Sequence, residues 1–566
     1  MTYRVPLREI EFTLDHLVDA GELAQTSLFA EATQDMRSAV FSEAAKMAED
    51  VLAPLQRNGD LHPAKLENGI VRTSPGYADG YEAIAKGGWV GMAAGTDNGG
   101  MGLPLTFATV VNEMMSSACL SLSLCPLMTQ GQIEALEHHA SDEIKALYLP
   151  KLTAGEWTGT MNLTEPQAGS DVGALRSKAE PLGDGTYAIS GQKIYISWGD
   201  NDFAGNVCHL VLARLPDGAP GTKGISLFLV PKFIPDADGN PGARNSLQVI
   251  SLEHKMGLHG SPTAVMEYDK AVGWMIGPES GGMAAMFTMM NNARLGVGVE
   301  GLGIAEAAMQ KAIAYARDRK QGKTPVGTKA IIDHPNIRRK IFTMKALTAT
   351  ARAICLDTAV SLDMARAAAP DQRDAWKARA AFLTPIAKAF STDIGNEVAH
   401  IGVQVHGGMG VIEETGAAQY SRDVRVTTIY EGTNGIQAID LVGRKLMDGG
   451  ETARRLLSTI AETAKTTGDL GDLVGGACQQ LGSATDWMLS APDMQDRIAG
   501  ATPYLRAWAL VLGGHYLAKA AARDAARLPL ADFHVRQILP QVSGLIAAAT
   551  AGAAPLYALD IDALEA

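Results

Sequence analysis

Glu431 is the residue whose neighbours best suit it to move a proton. It stands in Ile429-Tyr-Glu-Gly-Thr-Asn-Gly-Ile-Gln437, where Ile429, Tyr430, Gly432 and Ile436 offer no ion pair. A carboxylate drawn out of water holds its proton more tightly, towards the range useful to a general base. Gly432 on its C-terminal side lets another molecule approach the backbone closely. The competing reading of Tyr-Glu-Gly is a carboxylate that caps a helix or meets its dipole. Four other segments, distant in the chain, turn the balance towards the base.

The first is Met161-Asn-Leu-Thr-Glu-Pro-Gln-Ala-Gly-Ser-Asp171, with hydroxyls at Thr164 and Ser170 and a glycine at 169. Hydroxyls and N–H groups in a Pro/Gly loop suit the edge of a planar heterocycle or a phosphate; an ordinary turn with a capping box has the same composition. Lys193-Ile-Tyr-Ile-Ser-Trp-Gly-Asp200 predicts a strand whose Tyr195 and Ser197 share a face, able to stack a ring and donate one hydrogen bond. Arg294, Arg317 and Arg319 fall on a helix predicted over 284–319, where they satisfy its end or grip a pyrophosphate. The last is the glycine-rich run Gln404-Val-His-Gly-Gly-Met-Gly410, followed by Arg422-Asp423.

One motif misleads. Gly296-Val-Gly-Val-Glu-Gly301 spells G-x-G-x-x-G, and Asp318 lies downstream at the distance of a ribose-binding carboxylate. A dinucleotide turn must follow a buried strand, yet Met283 to Asn292 reads as helix. Small residues between close-packed helices explain the glycines better.

These residues sit in a chain of 566 residues, 46% hydrophobic and 20% charged, with 60 glycines. That is a globular composition too long for one core, so two to four packed units are expected. Five scattered cysteines, none in a Cys-x-x-Cys pair, argue against a disulfide framework or a zinc site, and no metal site is expected. A formal charge of −13 speaks against nucleic acid. No apolar run is read as reaching bilayer length without a charge, and the first residues lack a signal-peptide layout, so no membrane span and a cytoplasmic location are expected.

The expected fold is mainly α with a central β domain. Residues 1 to about 155 read as all-helical, with periodic stretches such as Glu43 to Leu52 and Phe107 to Ala118. From about 156 to 270 short β-rich runs alternate with Gly, Pro and Asp clusters. Beyond Pro278 long alanine-rich helices return at Ala284 to Arg319, Asn336 to Ala369 and Ala375 to Ala399, lengths that suit a bundle. Residues 446–566 read as an appended helical domain, whose helix Tyr504 to Arg527 carries Leu505, Leu510, Leu512 and Leu517 without a basic face. Packing on its own protein is preferred there to lying on a membrane.

Taken together, Leu163-Thr-Glu-Pro-Gln-Ala-Gly-Ser-Asp171, Lys193-Ile-Tyr-Ile-Ser197, Tyr315-Ala-Arg-Asp-Arg319, Gln404 to Gly410 and Ile429 to Gln437 resemble the acyl-CoA dehydrogenase family of flavoenzymes, in the family's order. The resemblance implies an extension over 1–39, a helical N-terminal domain over 40–155, a barrel-like β domain over 156–275, a four-helix C-terminal domain over 276–445 and the appended domain over 446–566. It implies FAD, with Met161, Leu163, Thr164, Tyr195 and Ser197 around the flavin ring and Ser170 shared between flavin and coenzyme A. Arg319, Gln321, Gln404 and Gly408 match positions that reach the FAD of a neighbouring subunit. Thr433 matches a phosphate or ribose contact, and Arg294 a substrate contact. A homodimer or homotetramer follows, with an electron-transfer flavoprotein as electron acceptor.

Some relatives carry the base directly before the arginine; here that residue is Ala293, which leaves Glu431. After Arg319 the family's Gln-Phe-Gly is reduced to Gln321-Gly322. The leader and the appended region resemble a larger bacterial subgroup. Its members act on 3-methylmercaptopropionyl-CoA in dimethylsulfoniopropionate breakdown, or on a broad range of medium- and long-chain fatty acyl-CoA. The expected reaction is α,β-dehydrogenation of an acyl-CoA thioester to the trans-2-enoyl-CoA. An acyl-CoA oxidase and a catalytically silent flavin-binding scaffold are the rival readings.

Overall fold

The computed structural model describes residues 3–558 and 560–564, which gather into two bodies. Ala39–Gly296 forms the first; Pro6–Ser38 and the chain from Val297 onward form the second. The architecture is that of the expected class: helical N-terminal part, central β domain, helical bundle and an added helical region.

In the first body the helix Leu105–His139 is buried on nearly every side from Thr106 to Leu136, as befits a helix apolar all round. Met114 to Ile133 carries no charge, which corrects the reading that no run of bilayer length lacks one. By length and composition this helix could cross a membrane, but the whole of its apolar window is enclosed by protein. The expectation of an all-helical region also fails at one place. Lys65–Glu67 and Ile70–Arg72 pair as an antiparallel hairpin, and Asn68 and Gly69 both take left-handed backbone at φ 52° and 74°. An Asn-Gly pair is the favoured two-residue hairpin turn, a signal that was there to be read.

The β domain closes on itself. Thr263–Ile276 pairs with Tyr187–Ser197 and Ile225–Pro231; Ile225–Pro231 pairs with Asn206–Arg214, and Lys178–Pro181 joins that strand to Tyr187–Ser197. Leu247–Leu252 and Trp157–Asn162 extend the ring at its margins. Ile225–Pro231 is buried at every position, so both of its faces are covered. The central helix is fastened to this sheet by the Gly159 N–H, which donates to Thr129 Oγ1 at 3.0 Å, and by Gln132 Nε2, which donates to Cys208 O at 3.1 Å.

In the second body, Pro335–Ala367 packs along Pro370–His406. From Val297 onward the helix Gly282–Asp318 crosses Pro370–His406 at glycines. A methyl group built on Gly301 would lie 2.4 Å from Ser391 O, and one on Gly395 2.7 Å from Gly301 O. Gly298 and Gly301 therefore form a helix-packing seam, and the residues leading directly into them are helix from Gly282 onward.

The added region is organised around Ala501–Arg523, whose Leu505, Leu510, Leu512 and Leu517 are all buried against this body. Asp357 ties it to the bundle, accepting from Arg379 Nη2 at 2.6 Å and from the Tyr516 hydroxyl. The N-terminal leader packs here as well. Arg527 pairs with Glu9 at 3.0 Å and lies 3.5 Å above the Phe12 ring, while Lys519 Nζ donates to Leu17 O at 3.0 Å. Two segments from opposite ends of the chain thus complete one another.

Candidate active site

Within the first body two distant stretches meet. Ile194 N donates to Thr164 O at 2.9 Å, and Lys193 Nζ donates to Leu163 O at 3.0 Å and to Glu165 Oε1 at 2.8 Å. Both charged side chains are enclosed. Burial alone would push the Glu165 carboxyl up, but the Lys193 ammonium, the Ser177 hydroxyl and the Arg176 N–H outweigh it and bring it down to about 2. The ion pair pins the loop of Thr164 to the strand of Tyr195.

That strand departs from regular alternation. Its pairing slips between Lys193 and Ile196, opposite Met266 and Ala264, and Tyr195 takes left-handed backbone at φ 60°. The bulge turns Tyr195 outward, 60% exposed, beside a buried Ile196. Ser197 is half-buried and ends the strand, so Tyr195 and Ser197 do share an outward face. Lys193, two residues earlier, is buried instead, and the strand stops short of the predicted Asp200.

Met161 and Thr164 are half-buried, Leu163 is buried, and Ser170 is exposed beyond the tight turn Glu165–Ala168. An outward ring, a half-buried thioether and hydroxyls on these segments of the β domain fit a flat heterocycle that accepts and donates hydrogen bonds. Arg294 is buried in the same body, its guanidinium carbon 6.0 Å from the Phe287 ring centre.

The second body holds the other candidates. Glu431 and Gly432 are both left-handed, at φ 55° and 84°. For a non-glycine residue this conformation costs roughly 1–3 kcal/mol and persists where the surroundings impose it. They do so from both sides. Buried Lys388 donates from Nζ to Gly432 O and Asn434 Oδ1, each at 2.9 Å. Asn434 Nδ2 donates to Asp393 Oδ1 at 2.8 Å and Gln437 Nε2 to Glu431 O at 3.2 Å. The Tyr430 hydroxyl donates to Oε2 of the Glu300 carboxyl group.

Glu431 is half-buried and lies outside any helix; Thr433 caps the following helix Asn434–Asp440, accepting from Ile436 N at 3.2 Å. The helix-capping reading of Glu431 is thereby set aside, and the Thr433 hydroxyl is committed in part to that cap. Ala293 is buried and has no group to accept a proton.

Arg319 follows the last residue of its helix, which ends at Asp318 one residue earlier than predicted. Arg319 and Gln321 are exposed on a loop closed by Ile331 N to Arg319 O and Gln321 N to Lys329 O, both 2.8 Å. Gln404 is exposed in the last turn of Pro370–His406, and Gly407, at φ 61°, and Gly408 follow it. Tyr315 and His406 stack with ring centres 4.4 Å apart, joining the helix ends that carry Arg319 and Gln404.

Sequence reasoning missed Glu300. It is sealed from solvent, and burial pushes its carboxyl up to about 8; Glu431 adds to this while the Tyr430 hydrogen bond and Lys388 oppose it. The available signal was a lone charge between Val299 and Gly301 on an apolar helix. The run was read for its glycines instead.

Comparison with known proteins agrees along the chain. Residues 34–156 match the family described as acyl-CoA dehydrogenase, N-terminal domain, 160–271 its middle domain and 280–447 its C-terminal domain. Residues 456–560 match acetyl-CoA dehydrogenase C-terminal like. The chain is 44% identical over 519 residues to 3-methylmercaptopropionyl-CoA dehydrogenase of Ruegeria pomeroyi, covering 89% of this chain and 88% of that one. It is 32% identical to a butyryl-CoA dehydrogenase of Syntrophomonas wolfei, over 96% of each. An acyl-CoA dehydrogenase from Bacillus anthracis, solved with FAD, shares the fold at a TM-score of 0.75 and 19% identity, over 98% of this chain and 93% of that one.

Proposed function

Since this chain belongs to the acyl-CoA dehydrogenase family, we propose that it converts 3-methylmercaptopropionyl-CoA to methylthioacryloyl-CoA, with FAD as cofactor and Glu431 as the base. The observation that carries the reading is a half-buried carboxylate on a left-handed turn gripped from both sides. Such a turn holds a side chain still, as proton abstraction from carbon requires.

Glu431 takes the proton from the carbon next to the thioester. Its backbone N–H donates to the thioester oxygen, where negative charge gathers as that proton leaves. Bound FAD supplies the acceptor for the hydride from the β-carbon. Met161, Leu163, Thr164, Tyr195 and Ser197 hold its ring, with the bulged Tyr195 offering a face to stack on. Ser170 lies between flavin and coenzyme A, and Arg294 binds substrate. Arg319, Gln321, Gln404 and Gly408 reach the FAD of a neighbouring subunit and Thr433 its phosphate or ribose, so a homodimer or homotetramer is the working form. Electrons pass on to an electron-transfer flavoprotein, in the cytoplasm. The domain limits in this reading are 40–155, 156–275, 276–445 and 446–566, with 1–39 as an extension.

End-to-end similarity to a butyryl-CoA dehydrogenase favours a second reading, a broad-range fatty acyl-CoA dehydrogenase. Anaerobic flavin bleaching by 3-methylmercaptopropionyl-, butyryl-, octanoyl- and palmitoyl-CoA decides between them. The first reading expects the highest kcat/KM for the thioether substrate, and a flat or chain-length-ordered series overturns it. Hydrogen peroxide formed in step with product in air identifies an oxidase.

A further inference from the structure

We infer that Glu300 is a positioning residue for Glu431, acting through the hydroxyl of Tyr430. The inference rests on the reading of Glu431 as the base. Glu300 sits on the helix Gly282–Asp318 between Val299 and Gly301 and is 1% exposed. Its Oε2 accepts from Tyr430, the residue before Glu431, while among the described residues Oε1 has no partner. On the far side of the turn Lys388 grips Gly432 O and Asn434. Glu431 is thus the one residue left between two clamps, and both clamps are buried polar groups on helices that do not otherwise belong to the turn.

A purely structural role explains this poorly. A buried carboxyl with one unpartnered oxygen destabilises the fold relative to an apolar side chain of the same size, and the helix neighbours Val299 and Leu302 are apolar and buried. What the carboxyl does provide is an acceptor at a set height for the Tyr430 hydroxyl. That bond fixes the N-terminal arm of a strained turn, and with it the direction of the Glu431 side chain. The ionisable or charged groups acting on Glu300 are Tyr430, Glu431 and Lys388. Burial favours the protonated form of Glu300, so it holds the turn with less negative charge beside the base.

The test compares the FAD-loaded full chain as wild type, Glu300→Leu, Glu300→Gln and Tyr430→Phe. The rate of anaerobic flavin bleaching is measured with saturating 3-methylmercaptopropionyl-CoA and octanoyl-CoA in parallel, alongside FAD content and the acyl-CoA Kd. Tyr430→Phe and Glu300→Leu are expected to slow bleaching ten- to a hundredfold, with FAD content unchanged and Kd within twofold. Glu300→Gln, which still accepts from Tyr430, is expected to restore the rate to within about threefold of wild type.

Wild-type rates in Tyr430→Phe overturn the inference, as does a loss confined to Kd or FAD content. Equal damage from Gln and Leu overturns it too, because the hydrogen-bond acceptor would then not be what matters. If Glu300→Leu does not fold, Tyr430→Phe removes the same bond at nearly constant volume and decides alone. Glu431→Gln is run beside them. Bleaching in that variant ends the base assignment; silence there with a normal Tyr430→Phe ends only the positioning role.

Discussion

Lys193 Nζ and Glu165 Oε1 lie 2.8 Å apart, both enclosed by the β domain, and through them the strand carrying Tyr195 and Ser197 is locked to the loop carrying Leu163 and Thr164. Removing one partner strands a buried charge, which typically costs about 3–5 kcal/mol. Lys193→Met should therefore lower stability by that order and release FAD, while Lys193→Met with Glu165→Gln should recover much of the loss. Chemical denaturation followed together with flavin absorbance checks both, and an unchanged midpoint in Lys193→Met would falsify the account. The Glu165 carboxyl is held below its ordinary range, so its share of stability is present above roughly pH 4.5 and is lost as pH falls towards 2.

Glu431→Gln keeps the size of the side chain and removes the proton acceptor. General-base catalysis contributes on the order of 10²–10⁴ in rate, and a loss of that size in flavin reduction is expected with FAD absorbance intact. Stopped-flow bleaching measures it.

Glu300 carries a pH signature of the opposite sign to that of Glu165. Its carboxyl is raised to about 8 in the folded protein, chiefly by burial. Between the ordinary carboxylate range and pH 8 the folded state therefore binds the extra proton, and stability falls as pH rises, by at most roughly 1.4 kcal/mol per pH unit. Glu300→Gln should flatten that part of the profile and gain on wild type as pH rises from about 5 to 8. Parallel curves for the two proteins would show that Glu300 titrates normally.

The crossing at Gly301 leaves no room for a methyl group, which would meet Ser391 O at 2.4 Å. Gly301→Ala should cost about 1–3 kcal/mol by forcing two helices apart. Gly443→Ala, where nothing lies within 4 Å, should be neutral or slightly stabilising. Thermal melts of the two variants side by side test the difference.

Much of the secondary structure was legible because its signal is local. The apolar repeat located Pro335–Ala367 within two residues of the predicted span at each end, while Pro370–His406 extends further both ways. Proline at 370 suits a first turn, so that helix begins earlier than its periodicity showed. The β texture of residues 156–270 was equally plain. The hairpin at Asn68-Gly69 is equally local, but its strands are three residues each, too short to show an alternation.

Sequence alone determined the family and the succession of helical and β regions, and singled out Glu431 as the candidate base, because these depend on residue type and short-range order. Tertiary structure alone decided which distant groups meet. It buried Lys193 against Glu165, laid the leader's Glu9 and Phe12 on Arg527, and set Glu300 under Tyr430. Partners separated by 28 to 518 residues leave no spacing in the chain to read. Their meeting is fixed by how whole helices and strands exclude water together, and that is settled only when the chain closes on itself.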